Sequence, residues 1–177
     1  MTAGHGNSSW NPARRRPLGA PVAALMILVL QAAACRPAPR GGVPSLVTET
    51  FATAGTLDGP AQGPGAIHIW EITGPAGRLG YLAETRCTTR SGAFLLRVVT
   101  DTALTVRRTE VSQYTAQRGI EITAPAFGRQ FVGKTAADPI RVGRDVDAIT
   151  GATLSSRSMA DGIRAVLDAL RRHAAAP

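Results

Sequence analysis

Cysteine, aromatic residues and lysine are scarce in this sequence, and the scarcity of cysteine closes off one class of protein. Of 177 residues, 2 are cysteine and 5% are aromatic. Two cysteines do not make a disulfide scaffold. Cys35 closes a leader-like segment, which leaves Cys87 as a lone thiol that reads as a small buried apolar residue. The histidines His5, His68 and His173 are too dispersed for a metal triad, so no metal is expected. A P-loop, a G-x-G-x-x-G fingerprint and a nucleophile–base pair are all missing from the sequence, which argues against an independent dehydrogenase or hydrolase. Acidic residues number 12 against 20 Lys plus Arg, a formal charge of +8. That excess overstates a basic surface, because Arg14, Arg15 and Arg16 lie in the leader and their removal leaves a formal charge of +5. The other arginines are scattered and carry no zinc, helix-turn-helix or RNA-binding signature, so nucleic acid is not expected as a partner.

What remains suits one domain behind a leader, since domains run from about 50 to about 250 residues. Residues 1–34 read as a signal peptide or N-terminal membrane anchor. They are polar up to Arg16, and residues 17–34 are then uncharged around the apolar run 22–30. That run is shorter than the ~20 residues of a comfortable spanning helix, which favours a cleaved signal. Ala32-Ala33-Ala34-Cys35 resembles a bacterial lipobox, with Ala32 where a leucine is usual. Three outcomes stay open: a lipid on Cys35, cleavage at an Ala-x-Ala site, or retention as an anchor. Each places the domain on the extracytoplasmic, periplasmic side of the cell membrane. Residues 35–44 form a Pro/Gly-rich tether whose composition cannot bury a face.

The domain proper is expected over 45–177, with a short helix at 46–53 and an irregular, turn-rich stretch at 55–65, where Gly and Pro recur. Residues 67–73 and 79–85 read as antiparallel strands joined by the turn Gly74-Pro75-Ala76-Gly77. A third strand covers 94–99, with Phe94, Leu96 and Val98 on one face and Leu95, Arg97 and Val99 on the other. A fourth covers 104–111. Pro125 starts a short helix that Gly133 ends. A last helix over 155–173 carries Met159, Ile163, Val166, Leu167 and Leu170 on one stripe. The class is therefore α+β, an antiparallel sheet with helices packed on one face.

Ahead of that last helix stands Asp147-Ala148-Ile149-Thr150-Gly151-Ala152-Thr153-Leu154-Ser155-Ser156. Read by residue type, it is a hydroxyl-rich helix N-terminus. Thr153, Ser155 or Ser156 can cap, Gly151 and Ala152 allow close approach, and the free N–H groups suit an anion. The string Asp-x-x-Thr-Gly-Ala-Thr at 147–153 resembles the flavinylation motif of the small FMN-binding domain family, whose members include components of the sodium-pumping NADH:quinone reductase and of the Rnf electron-transport complex. Gly92-Ala93-Phe94-Leu95-Leu96-Arg97-Val98-Val99 is similar to that family's first core strand. Residues 127–134 are similar to its helix ending in Gln-Phe-x-Gly-Lys. The chain departs from the family at 114–122, where many relatives carry Thr-Pro-Gly-Leu-Gly.

The resemblance implies covalent FMN on Thr153, attached by an external flavin transferase with FAD as donor. Thr150, Gly151, Ala152, Ser155, Ser156 and Lys134 are the other candidate cofactor-binding residues. Asp147 is a candidate for transferase recognition, and Cys35 is the lipidation candidate. Thr150, Ser155 and Ser156 either bond phosphate or merely cap, and Lys134 is either a flavin contact or a solvated helix-end cation. Tyr114 and Arg118 either reach the flavin or serve as ordinary loop residues. The expected function is an electron-transfer flavoprotein, relaying electrons between membrane-associated donor and acceptor proteins, rather than a stand-alone enzyme. A flavin reductase or a non-redox, membrane-tethered basic binding module are the alternatives.

Overall fold

The computed structural model describes residues 43–176. The leader, the Cys35 alternatives and residues 35–42 of the tether fall outside the described residues.

Helix α1, Ser45–Thr50, follows Pro44 and ends at the extended residue Phe51. Five strands follow: β1 Thr56–Gly63, β2 Ile67–Gly74, β3 Gly77–Thr88, β4 Ala93–Asp101 and β5 Val106–Ser112. They form one antiparallel sheet in the order β1-β2-β3-β4-β5. Every connection is short enough that no crossover helix is needed. A 3-10 turn at Ile120–Thr123 leads into α2, Pro125–Arg129, and the chain closes with α3, Thr153–Ala175.

The alternation in β4 divides the core. Phe94, Leu96 and Val98 are fully buried in the larger cluster, with Ile67, Ile69, Tyr81 and Ala83 from the neighbouring strands. The stripe Met159, Ile163, Val166, Leu167 and Leu170 of α3 covers them. Truncating any one of these large side chains to alanine costs about 2–5 kcal/mol, through lost transfer energy and the cavity left behind. Phe127 and Phe131 join this cluster edge to face, with ring centroids 5.5 Å apart. On the reverse face, Ile72, Leu82 and Val99 meet Leu46 and Val47 of α1. Beside them Arg97 pairs with Glu84 at 2.9 Å and with Glu110 at 3.5 Å, a cross-strand charge ladder on the solvated part of that face.

The α+β architecture is the expected one. Residues 55–65 differ from expectation, because β1 occupies most of the stretch read as irregular. It is an edge strand paired only with β2, and the register slips between Asp58 and Ala61. That bulge takes up Gly59 and Pro60, and an edge position tolerates a proline that has no N–H to donate. The last helix begins two residues earlier than expected. Gly151 turns the chain at φ +82°, Ala152 is the N-cap, and Ser156 N–H donates the first helical bond to the Ala152 carbonyl at 2.8 Å.

Candidate functional site

The start of α3 meets two loops at one end of the sheet. The first is the turn between β3 and β4, where Thr89 N–H donates to the Gly92 carbonyl at 2.8 Å. The second is the segment after β5, residues 113–119. Thr115 ties these two together: its N–H donates to the Ala93 carbonyl at 2.9 Å, and its hydroxyl accepts from Ala93 N–H at 3.0 Å. Backbone lies against backbone there, because a Cβ on Gly92 would come within 2.6 Å of the Ala116 nitrogen.

Both loops are also bonded to α3. Ser158 Oγ donates to the Thr88 carbonyl at 2.7 Å, holding the first turns of the helix to the end of β3. Tyr114 lies stacked on Phe94, with centroids 5.9 Å apart and planes 20° from parallel. Its hydroxyl donates to the Arg118 carbonyl at 2.6 Å and lies 2.8 Å from Ser155 Oγ, which then donates to it. Gly119 makes this approach possible. Its φ is +90°, and a Cβ there would overlap Ser155 Oγ and lie 2.9 Å from the Tyr114 hydroxyl.

Between the three segments runs a groove of about 580 Å³. Thr89, Arg90 and Ser91 line it from the β3–β4 turn, Gln117 and Arg118 from the second loop, and Gly151 to Ser155 from the helix start. The volume lies within the range of about 300–1,000 Å³ usual for small-molecule and cofactor sites. No acidic side chain lines it.

Within the motif, burial sorts the hydroxyls. Thr150 and Thr153 are exposed, whereas Ser155 is 3% exposed and Ser156 0%. Ser155 is committed to Tyr114, and Ser156 Oγ has no hydrogen-bond partner among the described residues. Thr153 is the first residue of α3, on the groove wall, and its hydroxyl makes no hydrogen bond among the described residues. The helix has no side-chain N-cap, so the N–H groups of its first turn remain available to a ligand. Ala152 is buried and anchors the turn. A Cβ on Gly151 would meet nothing within 4 Å, so glycine serves the positive φ at this place rather than a close approach.

Asp147 opens the motif with an exposed side chain, and its N–H donates to Gln130 Oε1 at 2.7 Å. Just upstream, Asp145 accepts from Arg141 N–H at 2.9 Å, which holds its carboxyl below its ordinary pKa. Lys134 is not brought to the groove. Its carbonyl accepts from Val106 N–H at 2.9 Å, beside the Thr100 end of the β4–β5 pair, whereas the groove borders the Ala93 end. Tyr114 is not on the groove wall either; it supports the wall from behind. Cys87 is buried, and burial, aided by the nearby charge of Asp161, pushes its thiol up to about 11. It has the character of a structural residue. Among the described residues no cluster of His, Cys, Asp and Glu is placed to hold a metal, and no helix is long and apolar enough to cross a membrane.

Thr89, Arg90, Ser91 and Gln117, which also line the groove, are not legible as site residues in the sequence. They carry no local signal, since only the folded sheet brings the β3–β4 turn to a helix start some sixty residues further along the chain.

Residues 91–168 match the FMN-binding domain family. The matched stretch runs from the β3–β4 turn into α3 and contains the helix start and the second loop. The protein carries an FMN-binding domain of this family and is a flavin-binding protein. A comparison with curated proteins finds no significant match.

The residues present fit FMN. An acid-free groove of cofactor size, two arginines and an uncapped helix start suit a phosphorylated ligand. Thr153 and the first-turn N–H groups of α3 would hold the phosphate end, with Arg90 and Arg118 also on the lining.

Proposed function

We propose that this protein is an extracytoplasmic electron carrier whose FMN is joined through its phosphate to Thr153 by a separate flavin transferase. One observation carries the choice of residue. Of the four hydroxyl residues in the motif, Thr153 and Ser155 line the groove, and of these two only Thr153 is exposed.

No histidine or carboxylate lines the groove, so the chain offers the Thr153 hydroxyl no general base. An unactivated hydroxyl is a weak nucleophile, and the transferase must supply the activation. With FAD as donor, the Thr153 Oγ–phosphorus bond forms as the phosphoanhydride bond breaks. AMP departs and the hydroxyl proton passes to the transferase or to water. The resulting phosphodiester keeps about one negative charge beside the start of α3. There the free N–H groups and about half a unit of positive dipole charge favour it. Asp147, exposed and held at the motif's entry through its backbone, is available for recognition by the transferase.

The bound flavin supplies the electron-transfer chemistry. The chain supplies a fixed wall, an attachment point and an electrostatic setting. The leader and the Pro/Gly-rich tether support a position at the outer face of the cell membrane, where tethering raises the effective concentration near membrane-associated donors and acceptors.

The test is co-expression of the full chain with a flavin transferase, read by intact mass and in-gel flavin fluorescence. Wild type and Thr153→Ser are expected to gain one covalent FMN, and Thr153→Ala none. A wild type that stays colourless beside an active transferase would favour a non-redox binding module. Sustained turnover of a small substrate by the loaded protein alone would favour a flavin reductase.

A further inference from the structure

The groove carries more positive charge than attachment at Thr153 requires. Arg90 and Arg118 reach it from two different loops, and neither forms an ion pair among the described residues. Among the other described arginines, Arg78, Arg97, Arg107, Arg108, Arg141, Arg164 and Arg171 pair with carboxylates and Arg86, Arg129, Arg144, Arg157 and Arg172 do not, so what sets Arg90 and Arg118 apart is that both are unpaired on one groove without a carboxylate. The loops that bear Arg90 and Arg118 are bonded to one another through Thr115 and Ala93, and to α3 through Ser158 and Tyr114. Two guanidinium groups are thus carried on cross-tied backbone around a groove that contains no carboxylate.

We propose that Arg90 and Arg118 form an electrostatic clamp that favours the reduced, anionic form of the flavin over its oxidised form. The inference rests on the attachment proposed above. The flavin phosphate carries the same charge in both redox states, and one cation with the helix start is enough to offset it. A second cation then acts on the charge that changes. Two electrons and one proton convert the neutral oxidised ring to a reduced monoanion, the electrons coming from a reduced redox partner or an electrode and the proton from water. A guanidinium with no carboxylate beside it stabilises that added charge, more weakly as salt screens it.

Exposed charge–charge interactions have free energies equivalent to a factor of up to about five each. Loaded full-chain protein titrated at an electrode is therefore expected to lose about fivefold of its preference for the reduced form in Arg90→Gln or Arg118→Gln. The double variant is expected to lose about 25-fold, a midpoint potential about 40 mV more negative for a two-electron couple. Arg118→Lys keeps the charge and is expected to stay within about twofold of wild type. Raising the ionic strength is expected to lower the wild-type potential, and to lower that of the double variant less. Intact mass separates this inference from the one beneath it: absence of the adduct from wild type overturns the attachment. A loaded double variant with an unchanged potential overturns the clamp alone. Should the double variant fail to load, a wild-type potential that does not respond to salt overturns the clamp as well.

Discussion

Replacing Tyr114 by phenylalanine removes one oxygen and leaves the stack on Phe94 in place. That oxygen donates to the Arg118 carbonyl at 2.6 Å and receives the Ser155 hydroxyl at 2.8 Å. Each such bond contributes about 0.5–1.5 kcal/mol net, and the Arg118 carbonyl, in an exposed loop, can turn to water. Ser155 is 3% exposed and has no such recourse except to bond back to its own helix. The expected loss for Tyr114→Phe is about 1–2 kcal/mol. Ser155→Ala removes the other partner and, because it also removes the buried group in need of a bond, is expected to cost no more than about 1 kcal/mol. The double variant then costs less than the sum of the two, with a coupling of about 1 kcal/mol. Urea denaturation of the four proteins measures the cycle. Additivity to within about 0.3 kcal/mol would refute the idea that this pair ties the 113–119 loop to the start of α3.

Gly119→Ala is expected to destabilise the domain by about 2–3 kcal/mol, from left-handed backbone strain and from displacing the Ser155 hydroxyl. Thermal melting should register that as a fall on the order of 10 °C. At pH 8 a thiol with a pKa of about 11 is ionised only about one part in a thousand, so Cys87 should resist alkylation in the native protein and react freely in urea; peptide mass spectrometry reads both states. The Asp138 carboxyl is held below its ordinary value of 3.8, chiefly by Thr135 N–H and then by the Thr135 hydroxyl. Because its folded pKa is depressed, its contribution is present above pH 3.8 and is lost as pH falls through the folded value. Acid unfolding curves of Asp138→Asn should therefore be flatter below pH 3.8 than those of wild type.

Much of this was legible because the relevant signals are local. The stripe from Met159 to Leu170 and the alternation in Phe94, Leu96 and Val98 announce a helix and a strand whatever surrounds them. β1 was hidden because Gly59 and Pro60 are breakers in a central strand yet harmless in an edge bulge, and nothing local distinguishes the two. The second face went unread for a related reason. Leu46 and Val47 are too few to show a period, and only the outward set Ile72, Leu82 and Val99 gives them a place to bury.

In the site, the motif's position at a helix start followed from residue type, whereas the sorting of its hydroxyls did not. Thr153 and Ser155 look alike in sequence, and it is the Tyr114 contact from a distant loop that covers one and leaves the other open. Lys134 is the one lysine in the chain and ends a family-like segment. The fold places it at the far end of the β4–β5 pair and brings Arg90 and Arg118 to the groove instead.

The most direct test of the central claim is the position of the adduct. Trypsin cleaving after Arg144 and Arg157 releases one peptide, residues 145–157, that contains Thr150, Thr153, Ser155 and Ser156. Tandem mass spectrometry of that peptide from protein loaded by a flavin transferase is predicted to place FMN, less one water, on Thr153. The same mass found on Thr150, on either serine, or on another peptide would contradict the account.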